Sequence, residues 1–394
     1  MKHALEGIRV VDLTGYIAGS YAPTLLADLG AQVVKIESFL GDPFRDMAGS
    51  FLTWNKGKRG IVVDLKQAEG QEIVHKMVRE ADIVVENFRP GVAKRLGVDY
   101  ETLQAIKPDI IYCSVTGYGQ GGPFRDKAAF DPMLQAASGV TGSQSGYGNP
   151  PTYLAIAVCD YSAAMLACWG MVMGLYVRAR TGRGQRLETS LCNAAVAVRS
   201  GTFFVCDGDL IEEEGGIDFL GRDATYRLYE TAERWLFIAC EDEASWQALC
   251  RELGQHDLLK DERFASAEKR AECSDELSAI LEPIFRQRPA REWLPILDTA
   301  GIPCAGVKSS REILHDPLML DNDMVIEFDH PTYGRLRELG QVIRFSETPG
   351  KQWRPAPVLG QHTEEVLQEL GYSTEGIARL LEARVVGGPG AGRR

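Results

Sequence analysis

Five short apolar runs recur through the first 115 residues: 8–13 (IRVVDL), 33–37 (VVKIE), 60–65 (GIVVDL), 83–86 (IVVE) and 110–115 (IIYCSV). Each is rich in β-branched residues and apolar on successive positions, the pattern of strands whose two faces are both covered. Between them lie a glycine-marked turn at residues 15–19, a helix over 21–29 that stops at Gly30, and an amphipathic helix over 69–80. Short helical turns at 92–96 and 100–107 precede the fifth run. Strands alternating with helices predict an α/β fold with a parallel sheet.

Residues 116–151 are loop-like and rich in glycine, with one helix expected at 131–138 (DPMLQAAS). An uncharged run at 161–177 then reads as a helix buried on every side. TGRGQ at 181–185 is a tight turn, and 186–191 continues as a strand or a helix start. Residues 201–223, with the acidic cluster Glu212, Glu213 and Glu214, have the texture of a linker or mobile loop. From Tyr226 the pattern becomes a two-stranded alternation followed by helices at 243–253, 269–286 and 291–299. The tail shows strand-like pieces at 324–328 and 340–343 and helices at 363–370 and 374–382. The organisation expected is therefore a Rossmann-like large domain begun by residues 1–200, a linker at 201–223 and a small α+β domain at 224–306. A return segment at 307–384 completes the large domain, and 385–394 form a disordered tail.

With 394 residues the chain exceeds what one core commonly holds, which agrees with two domains. A net charge of −12 argues against a nucleic-acid partner. Nine cysteines scattered without a CxxC or CxxH spacing point to reduced thiols in a cytoplasmic protein and to no zinc site. The run at 161–177 is shorter than the roughly 20 residues a bilayer needs, so no membrane span is expected. A parallel sheet invites a dinucleotide reading with Glu37 on the ribose, but GYIAG lacks the GxGxxG fingerprint, and NAD is set aside.

Asp160 stands at the mouth of the apolar run. Its carboxylate could cap the helix by accepting unpaired first-turn amides. It could equally be a nucleophile, made reactive by partial desolvation and kept ionised by the helix N-terminus. Position alone leaves both open.

Taken as a set, LEGIRVVDLT, LGAQVVKIE, NKGKRGIVVDLK, ADIVVENFRPGVAKRLG, FDPMLQAASG, the Asp160 segment followed by RTGRGQ, and GQHTEEVLQELGY resemble the class III coenzyme A transferases. That family includes formyl-CoA transferase, carnitine CoA-transferase and α-methylacyl-CoA racemase. The resemblance implies coenzyme A as the acyl carrier, no metal, Asp160 as the catalytic aspartate and Asp131 as a second acid of the active site. It also implies CoA contacts at Lys66, Asn87, Phe88 and Arg95. Ile17 and Ser38 fall on two further CoA positions where formyl-CoA transferase has a polar and a basic residue. Arg45, Lys56, Lys58 or Arg59 could replace the missing cation.

Glycines at 15–19 and 139–148 are candidates to bring backbone amides to an oxyanion. The racemase branch needs a histidine just before the acid matching Asp131, and Phe130 stands there, so transfer is favoured over racemisation. A non-catalytic CoA-binding protein is the alternative from another class. The acids expected are small carboxylates, with succinyl-CoA as donor and itaconate, mesaconate or glutarate as acceptor. Arg45, Arg125, Lys127 or Arg222 could hold a second carboxylate. Family members form interlocked homodimers, and the resemblance implies the same here.

Overall fold

The computed structural model describes residues 2–146, 148–202, 205–206, 209–210, 215–350 and 354–392. The acidic cluster at 212–214 lies outside them. Among the described residues the chain divides into two units, one drawn from Met1–Gln144, Pro151–Glu212 and Pro317–Arg394, the other from Ser145–Pro150 and Glu213–Asp316.

In the first unit the short apolar runs become β1 (Arg9–Asp12), β2 (Gln32–Glu37), β3 (Arg59–Val63), β4 (Ile83–Glu86) and β5 (Ile111–Thr116), joined by β6 (Gln185–Ser190). The intervening helices are α1 (Tyr16–Asp28), α2 (Ala48–Asn55), α3 (Ala68–Glu80), α4 (Val92–Arg95) and α5 (Tyr100–Ile106). Next come α6 (Asp131–Ala137), α7 (Val140–Ser145), α8 (Val158–Thr181) and α9 (Leu191–Val198). A two-residue ladder, β7 (Val205–Cys206) with β8 (Asp209–Leu210), follows.

The second unit holds β9 (Gly221–Asp223), β10 (Tyr226–Glu230), β11 (Trp235–Ala239) and β12 (Cys304–Gly306), an antiparallel sheet in the order β12-β11-β10-β9. Against it lie α10 (Glu243–Glu252), α11 (Ala267–Glu272), α12 (Ser274–Phe285) and α13 (Ala290–Thr299), around Tyr229, Trp246, Phe264, Phe285 and Trp293. The single helix expected over 269–286 is two, broken at Cys273. α14 (Ser310–Ile313) ends this unit. α15 (Pro317–Asp321), β13 (Val325–His330), β14 (Gly334–Leu339), α16 (Thr363–Glu369), α17 (Thr374–Glu382) and β15 (Val386–Gly387) return to the first.

The seven-stranded sheet runs β15-β3-β2-β1-β4-β5-β6, with β1 to β6 mutually parallel and β15 antiparallel to β3. Side chains alternate across it with the period of two that strands impose. Val10, Ile83, Val85, Ile111 and Cys113 share one core with residues of α1, α8 and α9. Val11, Val34, Ile61, Val84 and Tyr112 share the other with residues of α3, α16 and α17. Burying each such Val or Ile contributes roughly 1.5–3 kcal/mol.

Several local expectations are corrected. α1 begins at Tyr16, inside the stretch read as a turn. Gly19 serves close approach instead: a Cβ there would meet Asn87 and Thr14 at 2.7 Å. α8 is longer than the uncharged run, reaching from Val158 to Thr181, where Gly182 at φ 70° closes it, its N–H donating a hydrogen bond to the Arg178 carbonyl. Nor is it buried all round: Ala163, Ala164, Ala167 and Met171 are sealed, while Met165, Trp169, Met173 and Tyr176 are exposed. That length and composition would let it cross a bilayer, yet its buried face packs into the sheet core.

The strand expected at 340–343 is absent, and β14 occupies 334–339, where charged Arg335 and Arg337 both pair with Glu327 of β13 and so hide the alternation. Residues expected in a disordered tail instead add an edge strand: Val386 pairs with Val63, and Val385 and Val386 are 2% and 1% exposed.

Candidate active site

Strand order in the large sheet reverses direction between β1 and β4, and a crevice opens beyond the carboxyl ends of strands at such a point. A cavity of about 390 Å³ lies there. Its walls are Tyr16, Ile17 and Ala18 after β1, Asn87, Phe88, Arg89 and Pro90 after β4, and Thr116 and Gly117 at the end of β5. Arg125, Lys127, Phe130 and Asp131 close one side, and Asp160 at the start of α8 reaches in.

The turn from β1 into α1 is held group by group. Asp12 accepts from the Thr14 amide at 2.9 Å, and Lys35 donates to the Thr14 carbonyl at 2.7 Å. Asn87 accepts from the Gly15 amide at 3.0 Å and donates to the Gly15 carbonyl at 2.7 Å. Tyr16 thereby sits at φ 58°, a left-handed conformation costing about 1 kcal/mol for a residue with a side chain. Its ring leans edge-on against Phe44 and Phe130. The amides of Ile17 and Ala18 belong to the first helical turn, which leaves such donors without carbonyl partners, and both residues border the cavity.

Asp160 occupies the first turn of α8 but does not cap it. Its neighbouring amides are taken by Asp131, whose Oδ2 accepts from Cys159 N at 2.7 Å and Asp160 N at 3.0 Å. The other Asp131 oxygen accepts from the Gln135 side chain. Among the described residues no donor reaches the Asp160 carboxylate. Burial first, and the charge of Asp131 second, push its pKa up to about 7. The expectation that the helix end keeps Asp160 ionised is therefore corrected: the dipole's donors serve Asp131 instead.

Of the residues singled out from sequence, Asp160, Asp131, Asn87, Phe88 and Ile17 meet at the cavity. Lys66, Arg95 and Ser38 do not line it. Lys66 is exposed in the turn after β3, Arg95 is exposed on α4, and Ser38 is exposed just past β2, accepting from the Leu40 amide. The four proposed substitute cations are all engaged elsewhere. Arg45 pairs with Glu37 at 2.5 Å, Lys56 with Asp28 at 2.7 Å, Lys58 with Asp12 at 2.8 Å and Arg59 with Glu369 at 2.6 Å. Lys56 and Lys58 are fully buried, where a lone charge would be prohibitive, so their partners are obligatory. Arg222 pairs with Asp223 within the smaller unit.

Arg125 and Lys127 line the cavity, Lys127 lying over the Phe124 ring at 3.9 Å. Arg89, which was passed over, lines it too; its place in the ENFRPG motif was the available signal. No histidine lines the cavity, and among the described residues no group of three His, Cys, Asp or Glu side chains gathers to hold a metal.

The family model for CoA-transferase family III matches residues 5–363. The chain belongs to CoA-transferase family III. It is therefore a CoA-transferase, an enzyme of a family that takes CoA thioesters as substrates. The family III chain is 32% identical to the mouse succinyl-CoA:glutarate CoA-transferase, over 97% of its own length and 90% of the relative's. It is also 32% identical to the succinyl-CoA–D-citramalate CoA-transferase of Chloroflexus aurantiacus, covering 97% and 98%. The formyl-CoA:oxalate CoA-transferase of Escherichia coli O157:H7 is 31% identical, covering 98% and 100%. Among solved structures, a CAIB/BAIF family protein from Brucella suis superimposes with a TM-score of 0.87 at 31% identity, over 94% of this chain and 100% of that one.

Proposed function

We propose that this CoA-transferase moves CoA between small dicarboxylic acids, with Asp160 as the covalent carrier. The observation that carries the reading is the Asp160 carboxylate itself: half-buried, on the cavity wall, with no donor to quench it. An ionised carboxylate whose pKa stands near 7 is a stronger nucleophile than an ordinary one and is still substantially deprotonated at neutral pH.

The Asp160 carboxylate adds to the thioester carbonyl, and CoA leaves as thiolate, giving a mixed anhydride between Asp160 and the donor acid. The thiolate then attacks the aspartyl carbonyl and expels the donor carboxylate, leaving an aspartyl-CoA thioester. An acceptor carboxylate attacks that thioester, forming a second mixed anhydride and releasing the thiolate again. Attack of the thiolate on the acceptor's carbonyl gives the new acyl-CoA and regenerates Asp160. Activation passes along at every step, so no outside energy source enters. Ile17 and Ala18 amides are the candidates to hold the tetrahedral oxyanions.

For coenzyme A, Phe88 and Arg89 offer an apolar surface and a cation at the cavity, Arg95 offers an exposed cation on α4, and Lys66 and Ser38 offer exposed polar groups in the turns after β3 and β2. Asn87 contributes through the turn it holds, since its amide is bound to Gly15 on both sides. Arg125 and Lys127 supply the positive charge a second carboxylate needs. The names of the relatives, which act on glutarate, citramalate and oxalate, favour dicarboxylates as well. Succinyl-CoA with glutarate, itaconate or mesaconate is the first pairing to assay. A homodimer belongs to the same reading, because α8 leaves Met165, Trp169, Met173 and Tyr176 uncovered along one face.

The test is chemical. Wild-type enzyme incubated with succinyl-CoA and then hydroxylamine is expected to carry a hydroxamate at Asp160, located by peptide mass spectrometry. The Asp160→Ala variant is expected to lose CoA exchange by at least about 10³-fold. Exchange at the original rate in that variant would overturn the reading.

A further inference from the structure

The segment that carries Asp160 into the cavity is held from outside by α6. Asp131 is 5% exposed and Gln135 is 1% exposed, one helical turn apart on the same face of α6. The Asp131 carboxylate accepts from Cys159 N and Asp160 N, acting as a cap for α8 supplied by another helix. Gln135 donates to the remaining Asp131 oxygen and to the Ile156 carbonyl at 3.0 Å, with a longer contact to the Leu154 carbonyl at 3.4 Å. Two neighbouring side chains thus bind backbone groups over the seven residues that end at Asp160.

We propose that Asp131 and Gln135 are positioning residues for Asp160, clamping its backbone and occupying the amides that would otherwise bind its carboxylate, so that this carboxylate stands free toward the substrate. The proposal rests on the reading of Asp160 as the nucleophile, and it moves Asp131 from reacting acid to support. Neither Asp131 oxygen is left for proton transfer, because Oδ2 already accepts twice and Oδ1 faces the Gln135 amide.

An Asp at the start of a helix can ordinarily turn its carboxylate onto first-turn amides and be stabilised there. Here a second carboxylate holds that place, so Asp160 cannot quench itself. The buried negative charge beside it adds repulsion, which raises the energy of the ionised nucleophile. Ionisable groups also lie on the other elements packed against α8: Asp28 on α1, Cys113 on β5, Arg186 and Glu188 on β6, and Cys192 on α9. Of all these, Asp131 alone acts on the charge of Asp160.

Asp131→Asn separates the two parts of the role. Its amide oxygen can still accept from Cys159 and Asp160, but the charge is gone. The acid limb of the kcat/KM profile for succinyl-CoA is expected to move down by about one pH unit, with kcat above the limb reduced about tenfold and KM changed less than threefold. Gln135→Met, which removes the donor but keeps the volume, is expected to lower kcat about tenfold at unchanged KM and an unmoved limb.

A second measurement needs no turnover: the carboxyl ¹³C resonance of Asp160 in the substrate-free enzyme, assigned by its absence in Asp160→Asn, is expected to titrate at lower pH in Asp131→Asn than in wild type. An unshifted titration would overturn the proposal, as would a KM rise above tenfold with kcat intact, which would mean that Asp131 touches substrate. Failure of hydroxylamine to trap wild-type Asp160 would instead sink the nucleophile reading and leave the titration to judge the clamp.

Discussion

At the residue scale, the free energy of Asp160 is tied to pH. Its folded pKa is raised to about 7, above the ordinary carboxylate value it has in the unfolded chain. Below the unfolded value both states carry the proton, and the native state has its full stability. Between that value and about 7 the unfolded chain has released its proton while the native state retains it, so stability falls as pH rises. Asp160→Asn removes this loss. Its thermal midpoint is expected to exceed that of wild type by roughly 2–4 °C at pH 8, and to match it near pH 4. Calorimetry at the two pH values checks it, and a midpoint below wild type at pH 8 would contradict the assigned burial. Asp160 was legible in the sequence as one acid at the lip of an apolar run. Its lack of donors was not, since that depends on Asp131, 29 residues earlier in the chain.

At the element scale, the last strand shows how edge pairing completes a core. β15 gives β3 its outer neighbour, and the Thr363 side chain bonds both the Val62 amide and the Gly387 carbonyl, tying α16 to the same edge. Removing residues 385–394 is expected to expose Ile61 and Val63 along with a bare strand edge, lowering stability by about 3 kcal/mol or more and promoting aggregation. Urea unfolding and light scattering would show it; an unchanged urea midpoint would contradict the strand's role. Glycine and charge in GGPGAGRR suggested disorder, and they outweighed the two valines before them. A strand of two residues leaves too short a pattern to be read without its partner. The same reason hid β14, whose arginines matter only opposite Glu327.

For the whole molecule, α8 is the long apolar helix that keeps one face uncovered among the described residues. Its inner face is sealed against the sheet, while Trp169 is 65% and Met165 54% exposed on the outer one. The homodimer proposed above would place a second copy on that stripe and would account for the apolar character on both faces, which the sequence had suggested as burial all round. Sedimentation of the purified enzyme is expected to give the mass of a dimer, and Trp169→Glu to shift the population toward monomer or to lower the midpoint of unfolding. A wild-type monomer at micromolar concentration would remove the argument.

Sequence alone was enough for the α/β class, the order of the first five strands, the family and the acid at the head of α8, because each depends on local periodicity or on a motif contiguous in the chain. Tertiary structure decided which polar groups are available. Lys56, Lys58, Arg45 and Arg59 look like free cations in a row, yet folding brings each to an acid, eight residues away for Arg45 and 28 or more away for the other three. A buried charge draws on whatever counter-charge or donor the fold brings to it, and the Asp160 carboxylate, proposed above as the reacting group, is one to which the described residues bring neither.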